Sequence, residues 1–504
     1  MPEPSLRPIR GGDFDFWKAH HLLNRAGFGG TPAQARALVE MGLDKAVDYI
    51  VNYEKCDFEE VRADAFDGTI MRPPTAEERR AIEAARRSGD EAAVEQLQRE
   101  RQRRQEADRR QHRSMQEWWL KRMIRSPRPL EEKMTLFWHG HFATGYRTIE
   151  NSYDMFQQNQ FFRANATGNF ANLVYGIIRD PAMLRYLNNN QNRRNAPNEN
   201  LARELMELFT LGEGNDYTEQ DIKEGARALT GYTYRYNEQL GRHEFFFDQN
   251  EHDAGPKRIL GKVGPFDGVD FCRLILSREV CSRFICGKLY RFFVNDMPGK
   301  PGRDVEQFIA RLARLMRDSK YELKPVLTTL FKSEHFYDPQ NTAALIKSPV
   351  QLIVQAIRSL YTPARDVAAL NSAADLMGQD LFMPPSVKGW DGGRAWINTS
   401  TLFIRQNLLV YLLTGRRPNL YEWQASTDSY DATHLVSHLR SAEGDIKPED
   451  AAAYLLRFAL GAEPESERVR TLIDFVSSNG NRVTNDMIIA MLSLITAMPE
   501  YQLC

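Results

Sequence analysis

The sequence contains no apolar run of the length that a bilayer requires, few cysteines and no surplus of charge of either sign. A transmembrane helix requires about 18 or more apolar residues in succession, so we expect no membrane span. The 66 Lys and Arg residues balance 67 Asp and Glu residues, and this balance favours neither nucleic acid nor an anionic membrane as a partner. The five cysteines show no CxxC or Cys/His spacing, which argues against a disulfide framework or a zinc knuckle.

The length and the N-terminal stretch set the expected size class and location. A chain of 504 residues is long enough for two or three domains with cores of their own. The first residues, MPEPSLRPIRGGDFDFW, lack the apolar region of a secretory signal. We therefore expect a cytoplasmic protein as the sequence stands, or a periplasmic or secreted one if a signal has been removed.

Helical periodicity dominates the chain and predicts a mainly α fold, a multi-helix globular array with one small β-hairpin at 232–248. Residues 77–113 hold eleven arginines and nine acidic residues, with Ile82, Val94 and Leu97 as the apolar residues beyond alanine. A segment with so few apolar residues cannot form a wide apolar stripe to bury. Its composition therefore predicts a projecting charged helical hairpin, broken near 88–90. The expected parts are an N-terminal helical part of the main domain (1–76), the hairpin insertion (77–113), the main helical domain (114–362), a Trp/Gly-rich loop with packing helices (363–415) and a C-terminal helical subdomain (416–504).

Individual helices are predicted from the same periodicity. Two are expected within 17–51, and one is expected to begin at Pro129 and to carry the stretch FWHGHFATG. The others are expected at 152–165, 168–179, 199–211, 219–229, 268–294, 303–317, 322–332, 346–361, 431–440, 448–460, 465–478 and 484–496.

The stretch FWHGHFATG, residues 137–145, places two histidines one residue apart. On a continuous helix His141 shares the core-facing side, and His139 lies about 200° away, so the two imidazoles cannot share a metal ion. Gly140 and Gly145 favour an end of the helix here, and in an extended segment both imidazoles face one side and can reach one ion. The alternatives are a pair of metal ligands, or a core His141 bound to a backbone carbonyl with His139 at a helix end.

The helix NENLARELMELFTLG carries Asn200, Arg203, Glu204 and Glu207 on one face, at i, i+3, i+4 and i+7. Two carboxylates one turn apart are typical of a metal site or of a general acid/base pair built on a helix. An ordinary solvated face, or an ion pair with Arg203, gives the same pattern.

Two further groups of polar residues follow along the chain. Arg227 lies in an Ala/Leu-rich stretch, which indicates a partly buried arginine that pairs with a carboxylate or binds an anion. The turn EHDAGPKRILG brings His252, Asp253 and Lys257 within six residues. Such a turn is a favourable place for functional groups, although Asp253 is also suited to an Asx turn.

The segment 383–407 combines Pro384 and Pro385 with several glycines and with Trp390 and Trp396. This composition predicts a loop whose backbone closely approaches another surface. One interpretation is a platform for carbohydrate or peptide. The other is a loop held by two buried tryptophans against the helical body.

Five motifs resemble one family in content and in order: HLLNRAGFGG, KMTLFWHGHFATG, PNENLARELMELFTLG with YTEQDIKEGARALTGY, HDAGPKRILG and PPSVKGWDGGRAWINT. They are similar to the bacterial "domain of unknown function 1800" family over residues 20–415, with the charged hairpin as an insertion. The resemblance implies a bacterial protein of uncharacterised activity. It also implies a protein partner that resembles alkaline phosphatases, since members are often encoded beside such a family. The motif members are Arg25, His139, His141, Asn200, Arg203, Glu204, Glu207, Arg227, His252 and Asp253.

The hypothesis that we favour from the sequence is a metal-dependent enzyme, hydrolytic or oxidative, that acts on an anionic or glycan-type substrate. Zinc, iron or manganese would be the metal, and the alternatives are a non-catalytic helical scaffold that binds a partner and, third, a glycan-binding or glycan-hydrolysing protein. The expected metal ligands are His139, His141, Glu204 and His252; the expected catalytic residues are Glu204, Glu207, His252 and Asp253; the expected substrate-binding residues are Arg25, Arg203, Arg227, Trp390 and Trp396.

Overall fold

Apolar side chains recur at helical spacing along most of the sequence, and the computed structural model is accordingly mainly α-helical. The structure describes residues 5–58, 66–297, 299, 301–419, 422–425, 428–442 and 444–504. The first half contains α1 (Phe16–Ala26), α2 (Pro32–Met41), α3 (Leu43–Val51), α4 (Ala76–Ser88), α5 (Glu91–Arg125), α6 (Pro129–His141), α7 (Tyr146–Ile149), α8 (Ser152–Ala164), α9 (Phe170–Ile177), α10 (Pro181–Tyr186), α11 (Asn200–Glu204), a π-helical segment (Leu205–Thr210) and α12 (Glu219–Ala228).

The second half continues in helices after short strands. The helices are α13 (Gly268–Leu276), α14 (Glu279–Phe293), α15 (Arg303–Asp318), α16 (Leu323–Lys332), α17 (Pro349–Leu360), α18 (Val367–Leu376), α19 (Thr399–Thr414), α20 (Pro448–Leu460), α21 (Ser466–Ser478) and α22 (Asn485–Thr496). Within the described ranges, no helix is both long enough and apolar enough to cross a membrane.

Antiparallel strand pairs are small additions to this helical body. The predicted hairpin is confirmed: β1 (Tyr232–Asn237) pairs with β2 (Arg242–Phe247), and Tyr232 lies opposite Phe247. Two further pairs were not predicted, β3 (Lys257–Ile259) with β4 (Lys262–Gly264), and β5 (Arg416–Asn419) with β6 (Glu422–Ala425). Each of their strands has three or four residues, too few to show an alternating pattern.

The charged hairpin consists of α4 and the first part of α5. A capping box at Thr75 starts α4, and Gly89 ends it in the left-handed conformation, where a glycine carries no steric penalty. The second helix then runs for 35 residues without a break, so the polar stem leads directly into the buried Trp118 and Trp119.

Helix boundaries differ from the sequence prediction in several places. Residues 17–51 form three helices rather than two, and 268–294 is divided at Ser277 and Arg278. The segment 431–440 was expected to be one helix but forms two short 3₁₀ turns, Thr433–Leu435 and Ser437–Leu439. The Asp431 carboxylate accepts hydrogen bonds from both the backbone and the hydroxyl of Thr433, and this local turn competes with a regular helix.

Helix α6 lies in the middle of the molecule and packs against α1, α3, α5 and α8. Every residue from Leu130 to His139 is buried, so the helix exposes no polar face to solvent. Its polar side chains must therefore find partners inside the protein. The indole of Trp138, for example, donates to the Ala166 carbonyl at 2.9 Å.

Candidate functional site

Helix α6 continues through Gly140 to His141, so the stretch FWHGHF is helical rather than extended. Both imidazoles are buried, at 1% and 3% exposure. His139 faces the rings of Trp119, Phe382 and Trp390, at centroid distances of 5.5–5.6 Å. His141 lies on the other side, next to Phe137 and Phe142. The two histidines therefore have different surroundings.

Both ring nitrogens of His141 are hydrogen-bonded. Nε2 lies 2.9 Å from the Phe209 carbonyl, and Nδ1 lies 3.1 Å from Nζ of Lys288. Because a carbonyl oxygen only accepts, Nε2 carries the proton, and Nδ1 is the acceptor for the lysine. Burial and the neighbouring Lys288 cation hold the pKa of His141 well below its ordinary value, so the imidazole is neutral.

A local distortion of the acidic helix directs two carbonyls at this pair. The predicted helix 199–211 is α-helical only to Glu204, and residues 205–210 form a π-helix. The Leu208 carbonyl lies 3.3 Å from Nζ of Lys288, beside the Phe209 carbonyl that holds His141. Single π turns within helices are frequent at functional sites.

Lys288 lies on α14 and lines an open groove of about 850 Å³. Burial, together with the nearby cations Arg291 and Lys388, lowers the pKa of its amine to about 8. The ring of Phe284 lies 5.0 Å from Nζ. Sequence reasoning missed this residue, because one lysine within CSRFICGKLYRFF gives no signal of its distant partner His141.

The groove has an excess of unpaired cations. Arg278 is neutralised by Asp216, with both N–O distances at 2.6 Å. Arg283 and Arg291 also line the groove, are exposed, and have no ion-pair partner among the described residues. Two further carboxylates line the groove, Glu279, which pairs with Arg317 at 3.5 Å, and Glu306. The other lining residues include Leu211, Asn215, Val280, Gly287, Met297 and Ile309. Such a groove suits an anionic ligand.

The Trp-rich loop packs over the C-terminal end of α6. Gly389 approaches Gly140 so closely that a Cβ at Gly389 would lie 2.1 Å from the Gly140 carbonyl oxygen. The indole of Trp390 covers His139 and Gly140, and Trp396 is 7% exposed. The predicted close approach of this backbone is thus present, and the surface that it approaches is α6.

The predicted acidic pair lies on the outer side of this region. Arg203 binds Glu207 at 3.2 Å, and it also binds Glu199 and Glu219. Glu204 is half-buried, and burial together with the Glu207 charge raises the pKa of its carboxyl. The structure therefore joins Arg203 and Glu207 in an ion pair.

The residues of the turn after the hairpin bind one another. Arg227 donates to Asp253 at 2.7 Å and to Glu224 at 2.7 Å. The Asp253 carboxylate accepts from the Gly255 amide at 2.9 Å, which is an Asx turn, and Arg227 holds its pKa below the ordinary value. His252 Nδ1 donates to the Thr230 carbonyl at 2.9 Å.

Arg25 lies in the interior, 1% exposed, away from the groove lining. Its guanidinium donates to the carbonyls of Phe293 and Asn341. Burial lowers the pKa of Arg25 to about 10. These contacts tie α1 to the end of α14 and to the turn before α17.

In the part of the chain that the structure describes, no group of three or more His, Cys, Asp or Glu side chains is arranged to hold a metal ion. Among the predicted ligands, His139 has a buried Nε2 without a hydrogen-bond partner. Burial lowers the pKa of His139 to about 3, so this nitrogen can act as a neutral donor. The metal site stays a prediction.

The comparisons with known proteins give one family. A family model described as "Protein of unknown function (DUF1800)" matches residues 21–503. The match therefore includes the C-terminal helices beyond residue 415, where the motif resemblance ended. No curated protein and no solved structure matches the chain.

Proposed function

The chain belongs to the DUF1800 family, whose function is unknown, and from its geometry we propose that it is an enzyme whose reacting group is the Lys288 amine. The substrate would be an anion bound in the groove. The observation that carries this proposal is the placement of Nζ, which lines the groove and is bound on its inner side by His141 Nδ1 and the Leu208 carbonyl.

Those two contacts orient the amine. A neutral lysine nitrogen has two N–H bonds, and both acceptors here can take one of them. The lone pair then occupies the remaining tetrahedral position. With a pKa of about 8 rather than 10.5, a larger fraction of Lys288 is neutral near pH 7.5 than of an ordinary lysine. An oriented, partly neutral amine can accept a proton or attack an electrophile.

The surrounding charges support an anionic substrate. Arg283 and Arg291 lie eight residues apart on α14, which corresponds to about 12 Å along the helix. Neither is neutralised by a described acidic residue, so both are available to a carboxylate or phosphate. Three of the five motif segments also meet near this place, through His141, the Phe209 carbonyl and the Trp390 loop.

Amine reactivity tests the proposal. We expect acetic anhydride pulses at increasing pH to modify Lys288 with a midpoint near pH 8, about two pH units below a reference peptide whose lysine titrates near 10.4. Mass spectrometry of digested protein reads the extent of modification. Added citrate should protect Lys288 in the wild type and protect it less in the Arg283→Met/Arg291→Met double variant. If Lys288 were modified only at the high pH at which the reference peptide reacts, Lys288 would not be the reactive amine that we propose.

A second candidate is the metal-dependent enzyme expected from the sequence, hydrolytic or oxidative, and the unpartnered Nε2 of His139 favours it. If this candidate is correct, we expect protein purified without chelator or His-tag to contain about one zinc, iron or manganese ion per chain. His139→Ala should lose the ion while keeping the helical circular dichroism. Metal-free wild-type protein would argue against this candidate.

The non-catalytic scaffold stays an alternative, because several motif charges are occupied by internal contacts, as for Arg25 and Arg227. In that case the charged hairpin or the Trp loop would bind a protein partner, and the resemblance points to a protein similar to alkaline phosphatases. Co-elution of the two purified proteins in size-exclusion chromatography, lost when the hairpin is altered, is the expected result for a scaffold. A midpoint near pH 8 for the modification of Lys288 would instead favour the enzyme.

A further inference from the structure

We infer that Lys288 forms an imine with carbonyl compounds that carry a carboxylate beside the carbonyl carbon, that is, with 2-oxo acids. The inference rests on the proposed function, because it uses the same amine and the same groove. It adds the covalent step and the substrate class.

The surroundings of Lys288 are those of an amine nucleophile. Its Nζ has the Phe284 ring on one side, 5.0 Å away, and it lies one helical turn from the unpaired Arg291. Partial desolvation and a neighbouring cation are the two conditions that activate lysines for imine formation. A carbonyl oxygen and an imidazole nitrogen hold the N–H groups, so the lone pair is the part of the amine left to react.

The step balances without an oxidant or a reductant. The Lys288 nitrogen attacks the carbonyl carbon, the C=O π electrons move to oxygen, and one proton passes from nitrogen to oxygen to give a carbinolamine. The hydroxyl then takes a second proton, the C–O bond breaks and water leaves as the nitrogen lone pair forms the C=N bond, and the nitrogen gives up its remaining proton. Lysine and 2-oxo acid thus give imine and one water.

The expected preference for a substrate with a carboxylate comes from Arg291. In a 2-oxo acid the carboxylate is bonded directly to the carbon under attack, so it must lie within a few ångströms of Nζ. Arg291 is the nearest unpaired cation along α14, one turn from Lys288, and a guanidinium is well matched to a carboxylate. A neutral ketone of the same size would lack this contact.

Reductive trapping tests the inference with the full-length chain. Pyruvate is the probe and acetone is the neutral control of similar size, each with sodium borohydride, and peptide mass spectrometry locates the reduced adduct. We expect pyruvate to be trapped at Lys288 about tenfold more than acetone, the ratio that one charge-assisted hydrogen bond provides. Arg291→Met should remove most of this preference, and the ratio of pyruvate to acetone trapping is the readout, because the loss of this cation also raises the pKa of Lys288 and slows the trapping of both compounds.

Two further variants serve as controls, one for folding and one for trapping at an unrelated lysine. Lys288→Arg keeps a cation next to His141 and should abolish trapping with unchanged circular dichroism, and Lys45→Met, at an exposed lysine of α3, should trap as the wild type does. Equal trapping at many lysines, or none at Lys288, would overturn the imine. If anhydride modifies Lys288 with a midpoint near pH 8 but borohydride traps no adduct, only the imine is rejected. If Lys288 of the wild type is modified only at the pH of an ordinary lysine, the proposed function is rejected as well.

Discussion

Replacing Glu132 with glutamine is expected to destabilise the protein by about 3–5 kcal/mol, the cost of removing one member of a buried ion cluster. The Glu132 carboxylate is 0% exposed and is bound by Arg122, by Arg163 at 2.8 Å and 3.0 Å, and by the Trp119 indole at 2.9 Å. Burial acts to raise the pKa of Glu132, but the two arginines hold it below the ordinary value. Glutamine keeps the shape and removes the charge, which leaves the buried guanidinium of Arg163 without its anion.

Urea unfolding followed by tryptophan fluorescence and by far-UV circular dichroism measures this loss. The matched control is Glu83→Gln on the projecting hairpin, where the carboxylate pairs with Arg87 at 3.5 Å and both side chains are largely exposed. Exposed pairs contribute little, so the control should unfold close to the wild type. An equal shift of both variants would mean that the interior cluster is no more important than a surface pair.

The helices were predictable because their signals are local. The capping box of Thr218 with Asp221 and the glycine that ends α4 both follow from the local sequence, a threonine three residues before an acidic residue and a glycine directly after the helix. Apolar spacing marks a buried face in the same way wherever the helix lies in the fold. The predicted boundaries were wrong where a short polar side chain formed a local turn, as Asp431 does.

The candidate site was less predictable, because its contacts join distant segments. His141 and Lys288 are 147 residues apart in the chain, and no spacing rule connects them. The π-helical segment follows the same apolar pattern as an α-helix, so the redirected carbonyls of Leu208 and Phe209 are invisible in the sequence. Nothing near Glu132 in the sequence indicates a buried ion cluster, since its arginine partners come from α5 and α8.

The choice between a helical and an extended HGH segment also depended on tertiary packing. Gly140 and Gly145 were sound local signals for the end of a helix, yet α6 continues to His141. Trp390 packs against Gly140, with ring atoms 3.5 Å and 3.7 Å from the place where a Cβ would be. A glycine inside α6 is therefore explained by contact with the Trp loop rather than by a turn.

Gly389→Ala should have the second large effect, a loss of about 2–5 kcal/mol from left-handed strain together with overpacking. Gly389 has φ +84°, and an alanine Cβ would lie 2.1 Å from the carbonyl oxygen of Gly140. The Gly140 backbone cannot move freely, because it belongs to the buried helix α6. We expect the loop to shift away from α6 and to uncover His139, with a lower thermal midpoint and faster amide exchange at 139–142.

Gly392→Ala separates the two causes. Gly392 belongs to the same loop and has φ +76°, but no atom lies within 4 Å of its Cβ position. It should therefore lose only the about 1–2 kcal/mol that a left-handed non-glycine residue costs. If both variants lost the same amount, backbone strain alone would account for the effect, and the contact between Gly389 and Gly140 would not be what holds the Trp loop over His139. A larger loss in Gly389→Ala, with faster exchange confined to the end of α6, ties the loop to the helix that presents His141 to Lys288.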